Sequence, residues 1–224
     1  MSPDYRPMSV LFDLDGTLVD TAPDMAHALN QLLAEHGKPG LPYESIRPHV
    51  SNGARGLLGL GFQIDTPHQD YEELRQRFLD LYQSDICAHS RLFEGMDEVL
   101  DVLESRGIIW GIVTNKPGWL TMPLVKALNI HQRAACVVSG DTCERAKPHP
   151  MSLLHAAQSI GLKAESCLYV GDAARDIDAA RAAGMPVIAA SYGYLEPGSN
   201  PSQWGADAMA SHPLEILQLI GIQP

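Results

Sequence analysis

Long apolar segments and positive charge are both scarce in this chain of 224 residues. No apolar run approaches the roughly 20 residues that a bilayer-spanning helix needs, and the opening stretch MSPDYRPMSVLF has no apolar signal-peptide core. Lysine and arginine number 16 against 27 aspartates and glutamates, which gives a net charge of -11. We therefore expect a cytoplasmic protein with no membrane or nucleic-acid partner, because both of those partners favour basic surfaces.

Cysteine is also sparse, and no CxxC pair occurs among the four cysteines. Two of them, Cys136 and Cys167, fall within apolar runs, where a free thiol behaves as a small hydrophobic side chain. The nine histidines form no HExxH motif and no cysteine–histidine ligand spacing. The sequence therefore predicts a reducing compartment, no disulfide framework and no zinc site.

What the chain does contain is a regular alternation of two patterns. Short aliphatic runs predict strands at 9–15, 108–115, 135–141, 166–172, 186–191 and 206–211. Amphipathic windows predict helices at 95–107, 119–130, 150–162 and 175–185. Several of the runs are apolar on both faces, as strands between two helix layers are. The alternation predicts an α/β protein with a doubly wound, Rossmann-like parallel sheet.

One segment interrupts this alternation. From Ala22 to about Ser90 no strand pattern occurs, and APDMAHALNQLLAEHGK and DYEELRQRFLDLYQSDI both show helical spacing of apolar residues. We predict a catalytic core formed by residues 1–20 and 91–224, with residues 21–90 forming a small helical insertion after the first strand.

Polar side chains follow the predicted strands at the edge of the sheet where open parallel sheets bind ligands. They are Asp13 and Asp15, Thr114 and Asn115, Asp172 and Asp176, and Lys147 before a helix. In an extended segment, Asp13 and Asp15 share one face, and Gly16 permits the turn that follows.

This set suits phosphoryl transfer. The Asp13 carboxylate can attack phosphorus and form an aspartyl-phosphate, and a second carboxylate can protonate the leaving alcohol and then activate water. Asp172 and Asp176 would complete an oxygen-rich Mg²⁺ site. The Thr114 hydroxyl and Lys147 would bind the phosphoryl oxygens.

Each feature also has an ordinary structural interpretation. A DxD pair is usually a solvated turn, and Thr114 with Asn115 can simply end a strand and cap a helix. Lys147 before a proline is typical of a surface loop, and aspartates near a helix start favour that helix electrostatically. Only the conjunction of four strand-end signals on one edge indicates a catalytic site. Mg²⁺, Lys147, Lys116 and an arginine of the insertion would offset the net negative charge locally.

The motifs DLDGTLVDT, VTNKP, AKPHP and VGDAARDIDAARAAG resemble the four signature motifs of haloacid dehalogenase-like hydrolases, over nearly the whole chain. The resemblance implies that Asp13 is the nucleophile and Asp15 the general acid/base. It also implies that Asp13, the Asp15 backbone carbonyl and Asp172 bind Mg²⁺, with support from Asp176. Dehalogenases of this family lack the second aspartate, so Asp15 favours a phosphatase or a phosphomutase.

The insertion resembles the small helical cap of that family, which closes over the site and excludes water. Its glycine-rich stretch VSNGARGLLGLGF (50–62) predicts a flexible loop that opens a helix. We expect Ser51, Asn52, Gly53 and Arg55 to contact the substrate, with Arg55 as a clamp for a carboxylate. The alternative is a loop with a solvated arginine.

Within the family, the overall pattern is similar to phosphoglycolate phosphatases. The stretches HSRLFEGM, WGIVTNKP, YGYLEPGSNPSQWGAD and SHPLEI are similar to N-acetylmuramic acid 6-phosphate phosphatases, which act in peptidoglycan recycling. The resemblance thus implies a small phosphomonoester that carries a carboxylate. The late aromatic residues Tyr192, Tyr194 and Trp204 can equally pack a loop against the sheet.

Three other functions share parts of this pattern. Receiver domains combine a strand-end aspartate, a threonine and a lysine with Mg²⁺, but they need neither Asp15 nor the insertion, and they are about half as long. A phosphosugar mutase would use the same motifs, and a non-catalytic binding protein could keep the same fold. We expect a monomer or a homodimer.

Overall fold

A parallel sheet organises the computed structural model, which describes residues 5–222. Its strands, together with a short separate pair, are β1 (Ser9–Phe12), β2 (Val19–Asp20), β3 (Arg91–Leu92), β4 (Ile109–Val113), β5 (Val137–Val138), β6 (Cys167–Gly171), β7 (Val187–Ala190) and β8 (Ala208–Ala210). The main sheet has six strands in the order β5-β4-β1-β6-β7-β8, and every pair in it is parallel.

The helices follow the same chain order. They are α1 (Ala22–Glu35), α2 (Tyr43–Ile46), α3 (Gly53–Phe62), α4 (Tyr71–Ser84), α5 (Met96–Ser105), α6 (Gly118–Ala127), α7 (Met151–Ser159), α8 (Ala174–Ala183) and α9 (Glu215–Leu219). No helix among residues 5–222 is both long and apolar enough to span a bilayer.

Strand β1 lies inside the sheet because both of its faces are apolar. Val10, Leu11 and Phe12 are fully buried, and burial of each such side chain contributes about 1.5–3 kcal/mol. Val10 and Phe12 pack into one cluster with side chains of α5, α6 and α9. Leu11 packs on the other face with side chains of α7 and α8. Helix layers therefore cover both faces, and the predicted doubly wound α/β fold is confirmed.

Helices α1 to α4 lie within the segment predicted to form the cap, and their apolar side chains share one cluster. Leu29 and Leu32 of α1 pack with Phe78 and Tyr82 of α4 in this cluster, and all four are almost completely buried. Tyr194, which follows β7, packs against the same cluster and thereby joins the cap to the sheet.

The chain enters and leaves the cap through one narrow ribbon. Val19 of β2 pairs with Leu92 of β3, and the two strands are antiparallel. The Tyr194 hydroxyl accepts hydrogen bonds from the backbone N–H groups of Thr21 (2.6 Å) and Ala22 (2.9 Å). The first crossing is therefore tied to a loop of the core. The division of the chain into core and cap at residues 20 and 91 stays a prediction. The β2–β3 ribbon lies at those two positions.

A buried carboxylate on α1 holds the return crossing. Asp24 accepts hydrogen bonds from the backbone N–H groups of His89 (2.9 Å) and Ser90 (2.8 Å) and from the Ser90 hydroxyl (2.6 Å). The two crossings are therefore attached to different bodies, the first to the core and the second to the cap.

Several predicted boundaries need correction. The first strand ends at Phe12 rather than at residue 15, because the chain turns at once and Leu18 N–H donates to the Asp13 carbonyl. The third predicted strand, 135–141, is reduced to Val137–Val138, because a turn closed by the Thr142 N–H and the Ser139 carbonyl follows it.

The glycine-rich stretch of the cap is also more ordered than expected. A 3-10 helix occupies Arg47–Asn52 and runs directly into α3. Gly53 joins the two with a φ of 58°, a backbone conformation that glycine adopts without strain. The predicted flexible loop is therefore a helical junction.

Candidate active site

The chemistry-bearing residues meet at the carboxyl ends of the central strands. Asp13 follows β1, Thr114 follows β4 and Asp172 follows β6, and these strands are neighbours in the sheet. Asp176 lies in the first turn of α8, and Lys147 precedes α7. Segments that are far apart in sequence are thereby brought to one edge of the sheet, as expected for a ligand site in this fold class.

Lys147 lies at the centre of a buried charge network. Its Nζ is 2.9 Å from Asp13 Oδ1 and 2.7 Å from Asp176 Oδ1, and the lysine side chain has no solvent exposure. The same atom donates to the Val113 carbonyl (2.9 Å) and the Tyr169 hydroxyl (2.7 Å). Burial alone would lower the pKa of Lys147, but the two carboxylates outweigh it and raise that pKa.

Three buried carboxylates form the acidic part of the network. Oxygen atoms of Asp13, Asp172 and Asp176 all lie within 4.8 Å of one another. Burial and the neighbouring negative charges raise the pKa of Asp172 to about 7. Burial raises the pKa of Asp13 to about 6, although Lys147 opposes this shift. Crowded buried oxygen ligands of this kind suit a hard divalent cation such as Mg²⁺.

Asp172 is held in place by close backbone packing. Its Oδ2 accepts the Tyr194 N–H at 2.9 Å. Gly16 lies against the same oxygen with a φ of +88°, and a Cβ at that position would lie 2.1 Å from Asp172 Oδ2. Gly16 therefore provides both the turn after β1 and the space for the carboxylate of Asp172.

Asp15 lies at the cavity surface and has different partners. Its Oδ1 accepts hydrogen bonds from Lys116 Nζ (2.9 Å) and from the Thr21 hydroxyl (2.6 Å). Lys116 Nζ also donates to the Tyr82 hydroxyl of α4 at 3.0 Å and lies 4.4 Å from the centre of that ring. Burial would lower the pKa of Lys116, but Asp15 and Tyr82 together raise it.

The residues after β4 face the same space. Thr114 and Asn115 both line the cavity described below. The Asn115 amide, however, is bonded to the backbone of Lys147: its Nδ2 donates to the Lys147 carbonyl (2.8 Å), and its Oδ1 accepts the Lys147 N–H (3.0 Å). In this arrangement Asn115 positions Lys147.

A cavity of about 710 Å³ lies between the cap and the core. One wall carries Asp13, Asp15, Thr114 and Lys116 from the core. The facing wall is mainly apolar and comes chiefly from the cap. It includes Met25, Val50, Ala54, Ile64, Tyr71, Leu79 and Tyr82. The cavity therefore combines a polar end with an apolar side, as small-molecule sites usually do.

All four cap residues predicted to contact substrate line this cavity, and three of them are already engaged by side-chain contacts. The Ser51 hydroxyl donates to Asp172 Oδ2 at 2.7 Å, and the Asn52 amide donates to Glu196. Arg55 forms a two-point pair with Asp65, at 2.7 and 2.6 Å. Gly53 contributes its backbone at the start of α3.

Two residues of the site were missed by sequence reasoning. Arg175 lies between Asp172 and Asp176 in the fourth signature motif, and its side chain lines the cavity. The motif itself assigns no role to this position. Tyr82 belongs to the apolar face of α4 and has the spacing of an ordinary core residue, so no sequence signal distinguished it. Tyr194 packs against the apolar cluster of the cap rather than against the sheet, and its hydroxyl also donates to Asp20 at 2.7 Å.

The fold and site define a class, and comparison with known proteins gives the same one. The sequence profile of the family described as haloacid dehalogenase-like hydrolase matches residues 10–190. The chain belongs to this family. Its similarity to a solved structure, of a predicted phosphoglycolate phosphatase from Haemophilus somnus 129pt, has a TM-score of 0.83 at 27% identity and covers 95% of this chain and 97% of that one.

Individual relatives narrow the class to phosphatases. The chain is 42% identical to an N-acetylmuramic acid 6-phosphate phosphatase from Pseudomonas putida, over 96% of each chain. It is 44% identical to a phosphoglycolate phosphatase from Xanthomonas campestris pv. campestris, over 94% of this chain and 95% of that one. The prediction of a phosphatase of this family is therefore confirmed.

Proposed function

We propose that the chain is a cytoplasmic, Mg²⁺-dependent phosphomonoester hydrolase that acts through an aspartyl-phosphate. The substrate we propose is N-acetylmuramic acid 6-phosphate, in peptidoglycan recycling. The observation that carries the reaction type is the convergence of Asp13, Lys147, Asp172 and Asp176, with Asp15 facing the cavity beside them.

The first step joins Asp13 to the phosphoryl group. One oxygen of Asp13 attacks phosphorus, the bond from phosphorus to the ester oxygen breaks, and that oxygen takes a proton from Asp15. Asp15 can reach the ester oxygen because it lies at the cavity surface next to Asp13. Lys147 holds the orientation of the Asp13 carboxylate through its 2.9 Å contact.

The second step releases phosphate. Asp15, now a carboxylate, takes a proton from water, and the water oxygen attacks phosphorus as the bond to Asp13 breaks. Lys116 and Thr21 hold Asp15 in the orientation that this step requires, through contacts of 2.9 and 2.6 Å.

Mg²⁺ would be held by Asp13, Asp172 and Asp176, whose oxygen atoms lie within 4.8 Å of one another. When bound, the ion supplies positive charge that reduces the repulsion between carboxylate and phosphoryl oxygens.

The size of the cavity supports a sugar-sized substrate. Pockets of roughly 300–1,000 Å³ accommodate ligands of drug-like size, and the 710 Å³ cavity falls in this range. Phosphoglycolate has only two carbon atoms and no apolar surface that would need the cap wall. The ring, acetyl group and lactyl methyl of N-acetylmuramic acid would cover the wall formed by side chains such as Tyr71 and Leu79.

Phosphoglycolate remains the second candidate because the Xanthomonas relative bears that name. Both substrates carry a carboxylate, so charge does not separate them. The deciding measurement is kcat/KM for N-acetylmuramic acid 6-phosphate, phosphoglycolate and hexose phosphates in the presence of Mg²⁺. We expect the first to exceed the others by at least about tenfold; a higher value for phosphoglycolate would select the alternative.

The reaction type needs its own test. A rapid quench with ³²P-labelled substrate is expected to trap acid-stable label on the wild-type chain, and peptide mapping is expected to place it at Asp13. Stoichiometric release of inorganic phosphate without an isomerised product would exclude a mutase. A phosphoryl group that persists on the chain for minutes would instead indicate a receiver-type module.

A further inference from the structure

The cations that line the cavity have different partners. Four cationic side chains among the described residues line it, and three of these form ion pairs with carboxylates. Arg55 pairs with Asp65, Arg75 with Glu72, and Lys116 with Asp15. The fourth is Arg175, whose hydrogen bonds within the described chain go to neutral oxygens.

Arg175 is held at the boundary between core and cap. It lies in the first turn of α8, and its Nη2 donates to the Ser51 carbonyl at 2.7 Å and its Nη1 to the Asn52 side-chain oxygen at 3.4 Å. It also lines a second cavity of about 200 Å³ beside Asp172. Arg175 thus links α8 of the core to the 3-10 helix of the cap.

The electrostatic surroundings of Arg175 are those of the reaction centre. Burial would lower its pKa, but the negative charges of Asp176, Asp13 and Asp172 outweigh burial and raise it. Arg175 and Asp13 both line the larger cavity, and none of the ion pairs found among residues 5–222 joins Arg175 to a carboxylate. An anionic group placed against Asp13 would therefore share this cavity with the guanidinium of Arg175.

Lys147 is poorly placed to meet that group from the cavity side. Its side chain has no solvent exposure, its Nζ already has four oxygen partners, and it is not part of the cavity wall. Lys116 also lines the cavity but is paired with Asp15, so Arg175 is the lining cation left to face the phosphoryl oxygens as charge develops on them.

We propose that Arg175 binds the phosphoryl group that is transferred, so that closure of the cap positions a catalytic arginine supplied by α8. A guanidinium can donate two parallel hydrogen bonds to a phosphoryl group. The contacts with Ser51 and Asn52 fix its direction when the cap is closed. This inference rests on the proposed phosphatase function, and it differs from the expectation that the cap itself supplies the arginine.

The test compares Arg175→Gln, Arg175→Lys and Arg175→Ala with wild type. The matched control is Arg181→Gln, which removes an exposed arginine from the last turn of the same helix. Activity is measured with N-acetylmuramic acid 6-phosphate and with p-nitrophenyl phosphate, which has no carboxylate. The inhibition constant of inorganic phosphate is measured in parallel, and circular dichroism and Tm verify folding.

We expect Arg175→Gln to lower kcat/KM by the same factor for both substrates, about 10²-fold or more, as loss of one oxyanion contact does. The inhibition constant of phosphate should rise at least about tenfold, and Arg175→Lys should recover part of both losses. Free guanidinium ion at low concentration should partly restore Arg175→Ala, because it can bind phosphoryl oxygens although it cannot tie the cap to the core.

A loss restricted to the carboxylate substrate, with unchanged inhibition by phosphate, would overturn the proposal and assign Arg175 to the carboxylate instead. Unchanged kinetics in all three variants would overturn it as well. Either result leaves the proposed function intact if wild type still hydrolyses p-nitrophenyl phosphate and carries label on Asp13. Failure of the wild-type reaction itself would instead refute the proposed function.

Discussion

The two walls of the cavity are built on different principles. Behind the core wall, buried charges are interlocked: Lys147 alone has four oxygen partners, and two of them are carboxylates. On the cap wall, the lining is mainly apolar, and the polar links to the core are single hydrogen bonds, such as those from Ser51 to Asp172 and from Lys116 to Tyr82. Chemistry requires fixed geometry, whereas a moving cap requires contacts that break at little cost.

The strongest test of this comparison is Asp13→Asn. The change is nearly isosteric and removes the nucleophile, so we expect kcat to fall by at least about 10⁴-fold on every phosphomonoester. The Tm should change little. Burial of the charged carboxylate is unfavourable and raises the pKa of Asp13, and a neutral amide does not carry that cost. Steady-state kinetics and differential scanning calorimetry would measure both. Residual activity above about one per cent would mean that another group attacks phosphorus.

Lys147→Met tests the interlocked charges behind the core wall. Methionine has a side chain of similar length, but it leaves Asp13 and Asp176 buried without their cation. Breaking a buried pair in this way costs about 3–5 kcal/mol, and the free energy of unfolding in urea should fall by that amount. The exposed pair of Arg77 and Glu35 on the cap provides the control. Arg77→Met is expected to leave the free energy of unfolding almost unchanged, because an exposed ion pair contributes little to stability.

The carboxylate cluster predicts how stability depends on pH. The pKa of Asp172 is raised by burial and negative neighbours from its ordinary value of 3.8 to about 7. Between those values the folded state binds more protons than the unfolded state, so the contribution of Asp172 to stability falls as pH rises through this window. In EDTA, Asp172→Asn should gain Tm relative to wild type from pH 4 to pH 7, and Mg²⁺ should reduce that difference. A difference that shrinks with pH in EDTA would contradict this account.

The smallest effect on activity is expected from substitution of a residue on the cap wall. Arg55 is exposed and already paired with Asp65, so Arg55→Ala should lower kcat/KM for a carboxylate-bearing substrate only several-fold. It should leave p-nitrophenyl phosphate almost unchanged. Asp65→Asn is the matched variant, because it frees the guanidinium and should preserve or raise activity on the carboxylate substrate. Equal losses on both substrates would show that Arg55 does not read the carboxylate.

The sequence predicts the core wall well because strand ends and catalytic residues coincide there. Asp13, Thr114 and Asp172 each follow an apolar run, and the topology of a parallel sheet brings such ends to one edge. The order of the strands in the sheet cannot be predicted from any single apolar segment. The short β2–β3 ribbon also went unpredicted, because two residues are too few to show a period of two.

The cap wall is less predictable because its contacts are between distant side chains. The composition of the stretch 50–62 indicated flexibility, yet it forms a 3-10 helix and α3. Arg55 was expected to be free for substrate, but Asp65, ten residues later, binds it. Arg175 and Tyr82 are identified as site residues only from the three-dimensional structure, in which both line the cavity. Their sequence spacing does not distinguish Arg175 from a surface residue or Tyr82 from a core residue.

The β2–β3 ribbon has an evolutionary consequence. Because Val19 and Leu92 are neighbours, the two ends of the inserted segment emerge side by side, and chain inserted between such adjacent ends disturbs the host fold little. A gene could exchange this module for another of different size while the reacting carboxylates stay untouched. The ribbon thus lets substrate range diversify independently of the chemistry.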